Sequence, residues 1–248
     1  MTLDSSGMVS DSRARLAATL VGALLVGGCA TSVAGAQVAA PGERREDRGT
    51  DQDRDQDEGG DQGTDEGGPD PTAGIEGVLK IDYPSGIKHV AAPQRVAYDH
   101  LPPLGGAHDF YWAPCMGQVF TVAVRTEHFV HSMEHGAVWI TYDPEKVTGD
   151  DLEPLVRLVE GQPYLVMSPF PGQGKAVSAQ AWGRQLQVDA VDDPRIPEFI
   201  AATRGNPDLS PEPGARCDSP GPEYFDEDDP PPFQSGPPGP DSVPVTGG

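Results

Sequence analysis

Residues 126–142 read Thr-Glu-His-Phe-Val-His-Ser-Met-Glu-His-Gly-Ala-Val-Trp-Ile-Thr-Tyr. A helix over residues 126–135 would place Phe129, Val130 and Met133 on one side and the imidazoles and carboxylates on the other. Gly136 would end this helix. Residues 137–142 are rich in β-branched and aromatic residues, which is typical of a strand. The stretch therefore predicts a helix–turn–strand unit with a polar helix face that is dense in histidine.

Histidine spacing on this helix indicates a metal site. His131 and His135 are four residues apart, so both imidazoles can reach one ion. With Glu134 between them they match the inverted zinc-protease pattern H-x-x-E-H, in which the two histidines bind zinc and the glutamate activates water. That enzyme class also needs a third ligand from downstream. The candidates for it are Glu153, Glu160 and Glu198.

A simpler metal site takes ligands from the helix and from the irregular stretch before it. All six histidines of the chain lie between His89 and His135. The predicted ligands are His131, His135 and His108, with Glu134 or Glu127 as a fourth ligand or as an orienting partner. His100 is held in reserve. Imidazole ligands suit copper and zinc alike, so either is the expected cofactor.

Two further interpretations of the same residues stay open. Thioether ligation by Met116 or Met133 would favour Cu(I), although the helix directs Met133 into the core. The histidines and glutamates can also pair with each other and with backbone groups, without any metal. Ser132 has no sequence context typical of a nucleophile, so we assign it no catalytic role.

The remaining patterns predict an α+β fold, with a mixed or antiparallel sheet and two to three helices in a single small domain flanked by disordered acidic segments. Strands are expected at residues 75–82, 119–126, 164–168 and 176–188, the last interrupted at Trp182-Gly183. Helices are expected from Asp150 or Asp151 to residue 160 and over residues 193–203.

The net charge of −22 is concentrated in the flanks. Residues 43–70 carry twelve acids and four bases, and residues 218–248 carry seven acids and no base. Such segments lack the apolar content to fold. No basic patch is present in the sequence, which argues against nucleic-acid binding. The predicted organisation is a signal peptide (1–28), a disordered acidic linker (29–74), a globular domain (75–217) and a disordered Pro-rich acidic tail (218–248).

The N-terminus predicts export. Arg13 and Arg15 precede an apolar run at residues 16–26, which is shorter than the ~20 residues of a membrane-spanning helix. The run is followed by Gly27-Gly28-Cys29, and this junction resembles a bacterial lipobox. On that resemblance Cys29 is lipidated and anchors the protein on the extracytoplasmic face of the plasma membrane. The alternative is a plain signal peptide cleaved nearby, for example after Ala36, and Met8 is an alternative start.

The other two cysteines form an even pair in an oxidising compartment. A Cys115–Cys217 disulfide would close a loop of about 100 residues and stabilise the fold by up to roughly 4–5 kcal/mol. In the competing interpretation Cys115, beside Met116, is a soft metal ligand.

Several motifs together resemble a known family. They are Gly106-Ala-His108, Trp112-x-x-Cys115, Glu127, His131-Ser-x-Glu-His-Gly136, Ser168-Pro169, Ala181-Trp-Gly-Arg184 and Pro211-Glu-Pro…Cys217. Their order over residues 76–217 resembles DUF 3105, a domain of unknown function of bacterial, mostly actinobacterial, secreted or membrane-anchored proteins. In this chain Met116 stands between the cysteine and Gly117, where the family pattern has glycine directly. The resemblance implies an extracytoplasmic domain with the histidine block as its signature, and it implies no activity.

The sequence thus predicts a lipoprotein that binds copper or zinc through a histidine–glutamate cluster. One alternative is a zinc-dependent hydrolase with Glu134 as general base. The other is a non-catalytic envelope interaction module without metal, for which the Pro-rich segment at residues 230–238 offers a possible partner-binding sequence. The sequence leaves the oligomeric state open.

Overall fold

The structure is a computed structural model that describes residues 68–83 and 88–247. The predicted signal peptide, Cys29 and residues 30–67 of the predicted linker lie outside the described residues. Within the described part, none of the helices combines the length and the apolar character needed to cross a membrane.

The described residues form short strands and three α-helices. The strands are β1 (Val78–Lys80), β2 (His89–Val90), β3 (Val96–Ala97), β4 (His108–Asp109), β5 (Met116–Val119), β6 (Val138–Tyr142), β7 (Leu165–Pro169), β8 (Val177–Ala181), β9 (Arg184–Val188) and β10 (Val243–Pro244). The helices are α1 (Thr126–Glu134), α2 (Glu153–Val159), which follows a 3₁₀ turn at Gly149–Leu152, and α3 (Arg195–Thr203).

Six strands form one mixed sheet in the order β1-β9-β8-β6-β7-β5. Strands β6, β7 and β5 run parallel, while β8 pairs antiparallel with β6 and β9. The parallel β6–β7 pair needs a crossover, which α2 supplies. Strands β8 and β9 form a hairpin around Trp182-Gly183, the predicted interruption. This arrangement of three helices on a mixed sheet confirms the predicted α+β class.

Alternation along the central strand creates a core on each face of the sheet. Val138 and Ile140 of β6 pack in the cluster that contains the buried side chains of α2 and α3. Trp139, between them, packs in the other cluster, where its ring stacks 4.5 Å from that of Phe129 on α1. Helix α1 therefore lies on the opposite face of the sheet from α2 and α3.

The second predicted strand, at residues 119–126, is wrong except at Val119, where it overlaps the observed β5 (Met116–Val119). Strand β5 stops at Val119, and residues 120–125 form no strand of the sheet. Phe120 and Val124 are buried in the α1 core, so the apolar pattern reflects burial rather than strand pairing. The two-residue pairings β2–β4 and β3–β10 were not predicted, because two residues are too few to show alternation.

The C-terminal tail packs against the domain, which corrects the prediction that residues 218–248 are disordered. Phe225 is 1% exposed within the α1 core. Strand β10 pairs with β3, and Pro232 forms an isolated bridge with Val124. Single apolar residues among the acids and prolines hold the segment against the domain. The average composition of the tail does not reveal them.

The folded part also begins before the predicted boundary at residue 75. Thr72 is buried, and the Asp70 carboxylate accepts hydrogen bonds from the Thr72 backbone and hydroxyl groups. The guanidinium Nε of Arg184 donates to the same carboxylate at 3.1 Å. Residues 68–74 therefore belong to the packed structure rather than to the linker.

The Cys115–Cys217 disulfide is present, with a Cα–Cα distance of 4.9 Å and a sequence separation of 102 residues. The backbone N–H of Cys115 also donates to the carbonyl of Cys217 at 2.7 Å. The bond therefore joins the segment before α1 to the segment that follows α3, and it excludes Cys115 as a thiolate ligand while it is intact.

Candidate metal centre

Helix α1 ends in a glycine turn that directs the chain into the central strand. Gly136 has φ 102°, a conformation that favours glycine, and its N–H donates to Met133 O at 3.0 Å. The N–H of Ala137 donates to Ser132 O at 3.0 Å, which completes a Schellman motif. A Cβ at Gly136 would lie 3.3 Å from Gly205 Cα. The turn thus fixes the helix against β6 and against the chain after α3.

The polar face of α1 is covered by the irregular stretch at residues 106–115. The ring of His128 donates from Nδ1 to Tyr111 O, and that of His131 donates from Nδ1 to Asp109 O, both at 2.7 Å. The hydroxyl of Ser132 donates to Ala113 O at 2.7 Å. These bonds explain how a stretch with little regular structure is held in place. They also give Ser132 a structural role.

Three imidazoles and one carboxylate converge near the C-terminal end of α1. His89, His108, His131 and Glu134 each offer one ligand atom, and these atoms all lie within 4.8 Å of one another. The Oε2 atom of Glu134 lies 2.9 Å from His108 Nε2, 3.8 Å from His89 Nε2 and 3.9 Å from His131 Nε2. Strands β2 and β4 position the first two residues, since His89 and His108 are direct partners in the parallel ladder.

Backbone carbonyls fix the orientation of three rings. His108 donates from Nδ1 to Gly106 O at 2.8 Å, His131 to Asp109 O at 2.7 Å and His135 to Arg216 O at 2.5 Å. A carbonyl can only accept, so each Nδ1 carries a proton. In the neutral ring Nε2 then carries the lone pair, which is the arrangement found in metal-binding histidines.

Burial favours the neutral form of His89, His131 and His135, because it lowers the pKa of each ring. Burial, followed by the neighbouring imidazoles of His108 and His135, lowers the pKa of His131 to about 2. Burial also lowers the pKa of His89, where His108 adds to the effect, and the pKa of His135, where the Arg216 carbonyl and Glu212 oppose it. Neutral imidazole is the form that binds a metal ion.

Two atoms of the cluster have no hydrogen-bond partner. His108 Nε2 and Glu134 Oε2 are both buried, and among the described residues neither forms a hydrogen bond. Their 2.9 Å separation is short, but the contact lacks the direction of a hydrogen bond. Buried polar atoms are normally paired. A cation between these atoms would satisfy both.

A second group of potential ligands adjoins the first. Glu134, His135 and Glu212 also offer ligand atoms within 4.8 Å of one another. His135 Nε2 lies 3.0 Å from His131 Nε2 and 3.8 Å from a Glu212 oxygen. The backbone N–H of Glu212 donates to Glu134 O at 3.1 Å, which holds this segment against the end of α1.

Aromatic side chains line both groups. Phe110 stacks on His89 with ring centroids 5.3 Å apart. Trp112 lies 4.9 Å from the His135 ring and 5.5 Å from the His131 ring, and its indole N–H donates to Asp218 O at 2.7 Å. These rings limit the contact of the ligand atoms with water.

Glu127 and His100 lie outside both groups. Glu127 accepts a hydrogen bond from Val96 N at 3.0 Å and lies 3.5 Å from the guanidinium Nε of Arg125, so it anchors β3 to α1. His100 pairs with Asp99 at 2.9 Å near the surface. Of the predicted cluster, the structure therefore brings together His108, His131 and Glu134 in the first group.

The other residues considered for ligation lie elsewhere. Met133 is buried in the core under α1, and Met116 is exposed. The glutamates proposed for a zinc peptidase are exposed and belong to the side of the sheet opposite α1, on or directly beside α2 and α3. These residues are Glu153, Glu160 and Glu198.

The sequence did not identify two members of the ligand groups, His89 and Glu212, as potential ligands. His89 lies 42 residues before His131 and reaches the site through the two-residue pairing of β2 with β4, which leaves no periodic signal. The confinement of all histidines to residues 89–135 was the only hint of its role. Glu212 is part of the Pro211-Glu-Pro motif, which the sequence singled out without a function.

The fold and the site together define a small α+β domain built around a buried histidine–carboxylate cluster. A family model described as "Protein of unknown function (DUF3105)" matches residues 89–219, which is more than half of the chain. This chain belongs to the DUF3105 family, which confirms the resemblance found in the sequence. Every residue of both ligand groups lies within the matched range. No curated protein and no solved structure matches the chain.

Proposed function

We propose that this chain is a lipid-anchored extracytoplasmic protein whose domain binds a divalent transition metal ion through His89, His108, His131 and Glu134. The observation that carries the proposal is the convergence of three imidazole nitrogens and one carboxylate oxygen within 4.8 Å. Four ligands from these residue types form a common set for such ions. The buried, unpaired His108 Nε2 and Glu134 Oε2 atoms supply the second reason, because a cation would satisfy both.

The ligand chemistry favours copper or zinc. Neutral imidazoles bind both, and copper binds more tightly than zinc at most nitrogen sites. Thioether ligation, which would favour Cu(I), receives no support from Met133, whose side chain is in the core. His89 is the most open of the four ligands, with 32% of its side chain exposed. The ion would therefore reach the buried ligands past His89.

The proposed location depends on the N-terminal sequence. Gly27-Gly28-Cys29 resembles a lipobox, so Cys29 would carry the lipid and hold the protein on the outer side of the plasma membrane. The Cys115–Cys217 disulfide is compatible with this oxidising compartment. The acidic segment that follows Cys29 would separate the domain from the membrane.

A zinc-dependent hydrolase is less well supported. In the H-x-x-E-H pattern both histidines bind one zinc ion and the glutamate activates water. Here the Glu134 carboxylate lies among the ligand atoms of both groups, so it is placed to bind an ion itself rather than to activate a water molecule. The site therefore has the composition of a binding centre, with Glu134 as a ligand.

The alternative of a non-catalytic envelope interaction module requires that the Pro-rich tail segment at residues 230–238 be free to bind a partner. Arg95 donates to the carbonyl groups of Gln234 at 3.0 Å and Gly236 at 3.2 Å, and the backbone of Phe233 donates to Ala123 O at 3.2 Å. These bonds use backbone groups that a partner would otherwise bind. The tail thus supports the domain, and metal binding remains the better-supported function.

The proposal is tested by metal analysis of the purified protein after incubation with zinc or copper and removal of free ions. We expect at least one tightly bound ion per chain in the wild type and none in the His131→Ala/His135→Ala double variant. The His100→Ala variant is the control, because this histidine lies outside both groups. Equal metal content in the wild type and the double variant would contradict the proposal.

A further inference from the structure

The two ligand groups share Glu134, and their other members point to a second ion. The first group contains His89, His108 and His131, and the second contains His135 and Glu212. Together they provide four imidazoles and two carboxylates. Transition-metal sites in proteins commonly use about four protein ligands. Six candidate ligands in two overlapping groups therefore exceed the needs of one ion.

We infer that this centre binds two divalent transition metal ions, with the Glu134 carboxylate bridging them and with His135 and Glu212 completing the second position. The inference rests on the proposed function, because it assumes that the first position binds an ion. A carboxylate has two oxygens and can bind one ion through each of them. Carboxylate-bridged ions in two-metal centres lie about 3.5–4 Å apart.

The contact between His131 and His135 is a further reason to expect cations at this centre. Their Nε2 atoms lie 3.0 Å apart. Each ring donates its Nδ1 proton to a backbone carbonyl, Asp109 O for His131 and Arg216 O for His135. Two neutral rings held in this way direct lone pairs at each other and cannot form a hydrogen bond. Positive charge bound at these nitrogens would offset this repulsion. The two ligand groups assign His131 to the first ion and His135 to the second.

Glu212 is positioned for this role by the backbone. Its own N–H and the hydroxyl of Ser210 both donate to Glu134 O, so the segment is fixed at the end of α1. One Glu212 oxygen lies 3.8 Å from His135 Nε2, and 57% of the side chain is exposed. The second position is consequently the more open one and contains more oxygen ligands. It should bind zinc more weakly than the histidine-rich first position.

The test is a zinc titration of the purified full-length protein by calorimetry, with elemental analysis of the bound ion. The wild type should bind two ions in two unequal events, and Glu212→Gln should bind one ion and lose the weaker event. The matched control is Glu198→Gln, an exposed glutamate on α3 at the opposite face of the sheet, which should still bind two. Because Glu212 is exposed and its backbone makes the anchoring bond, the variant should keep the wild-type circular dichroism spectrum.

The outcomes separate the two proposals. One ion in the wild type, unchanged in Glu212→Gln, would overturn the second position and leave the proposed function intact. Two ions in both proteins would overturn the assignment of Glu212 and the inference with it. No bound ion in the wild type would overturn the proposed function and therefore also this inference.

Discussion

Glu134 Oε2 on helix α1 lies 2.9 Å from Nε2 of His108 on strand β4, and both atoms are buried. The first residue comes from the helix, and the second comes from an irregular stretch 26 positions earlier. Their approach depends on the carbonyl groups of that stretch, which accept hydrogen bonds from the polar side chains of α1. The site is therefore a consequence of how the domain covers the polar face of one helix.

Variants of the two buried glutamates of α1, Glu134 and Glu127, should separate an effect on metal affinity from an effect on the stability of the fold. Glu134→Gln replaces a charged ligand by a neutral amide, so we expect metal affinity to fall by at least about tenfold. Glu127→Gln weakens contacts to Val96 N and Arg125, so we expect it to lower the free energy of unfolding by about 1–3 kcal/mol with metal affinity unchanged. Calorimetric titration and denaturant unfolding of both variants provide the measurements. A similar loss of affinity in both variants would contradict these assignments.

The disulfide should support the domain and the second ligand group together. Replacing both Cys115 and Cys217 by alanine should lower the free energy of unfolding by about 2–5 kcal/mol. Arg216, whose carbonyl orients the His135 ring, directly precedes Cys217, so the weaker zinc-binding event should also be reduced. Denaturant unfolding and zinc titration of the double variant measure the two effects. Unfolding and zinc binding like those of the wild type would show that the bond contributes to neither.

Asp70 should make stability depend on pH in the acid range. Burial raises the pKa of Asp70, but hydrogen bonds from Thr72 and Arg184 outweigh this and lower it to about 2, from 3.8. The folded protein thus favours the ionised form, so the stabilisation is present above pH 3.8 and is lost as the pH falls towards 2. Asp70→Asn should lower the free energy of unfolding by about 1–2 kcal/mol at pH 7, and the difference from wild type should disappear near pH 2.

The matched control for this prediction is Asp82→Asn. Asp82 also faces Arg184, at 3.6 Å, but 80% of its side chain is exposed, so the change in stability should stay within about 0.5 kcal/mol. Thermal unfolding between pH 2 and 7 measures both variants. If both aspartates had equally small effects at pH 7, the folded part would not begin near residue 70.

Docking of the tail can be tested at two adjacent aromatic residues. Phe225 packs against Phe120 and His128, with ring centroids 5.8 and 5.2 Å apart. Phe225→Ala should lower the free energy of unfolding by about 3–5 kcal/mol, because it leaves a cavity in the α1 core. Tyr224→Ala should have a much smaller effect, since 43% of Tyr224 is exposed. Equal and small effects in denaturant unfolding would mean that the tail is not part of the core.

The sequence predicted the strands in which apolar residues are regularly spaced or concentrated, and the helices in which apolar residues recur over at least one full turn. Helix α1, strands β6 to β9 and helix α2 all follow this rule. Phe129, Val130 and Met133 lie in the core, as the helical pattern required. The pairing of His89 with His108 could not be predicted, because a two-residue ladder depends on the surrounding fold rather than on local sequence.

Glu127 shows that a position on the polar face of a helix does not by itself identify a metal ligand. It shares the polar side of α1 with His131 and Glu134, but its carboxylate binds the backbone of β3. Which polar side chains meet each other depends on the segments that cover the helix. The tail was misjudged for a related reason, because single apolar residues such as Phe225 anchor it within an acidic, Pro-rich composition.

The central claim is that an ion binds between His108, His131 and Glu134, and anomalous X-ray diffraction locates such an ion directly. Crystals of the zinc-loaded protein, measured at the zinc absorption edge, should show an anomalous peak about 2.0–2.1 Å from Nε2 of both histidines and about 2.0–2.2 Å from a Glu134 oxygen. No peak at this position, with Glu134 instead hydrogen-bonded to His108, would contradict the account.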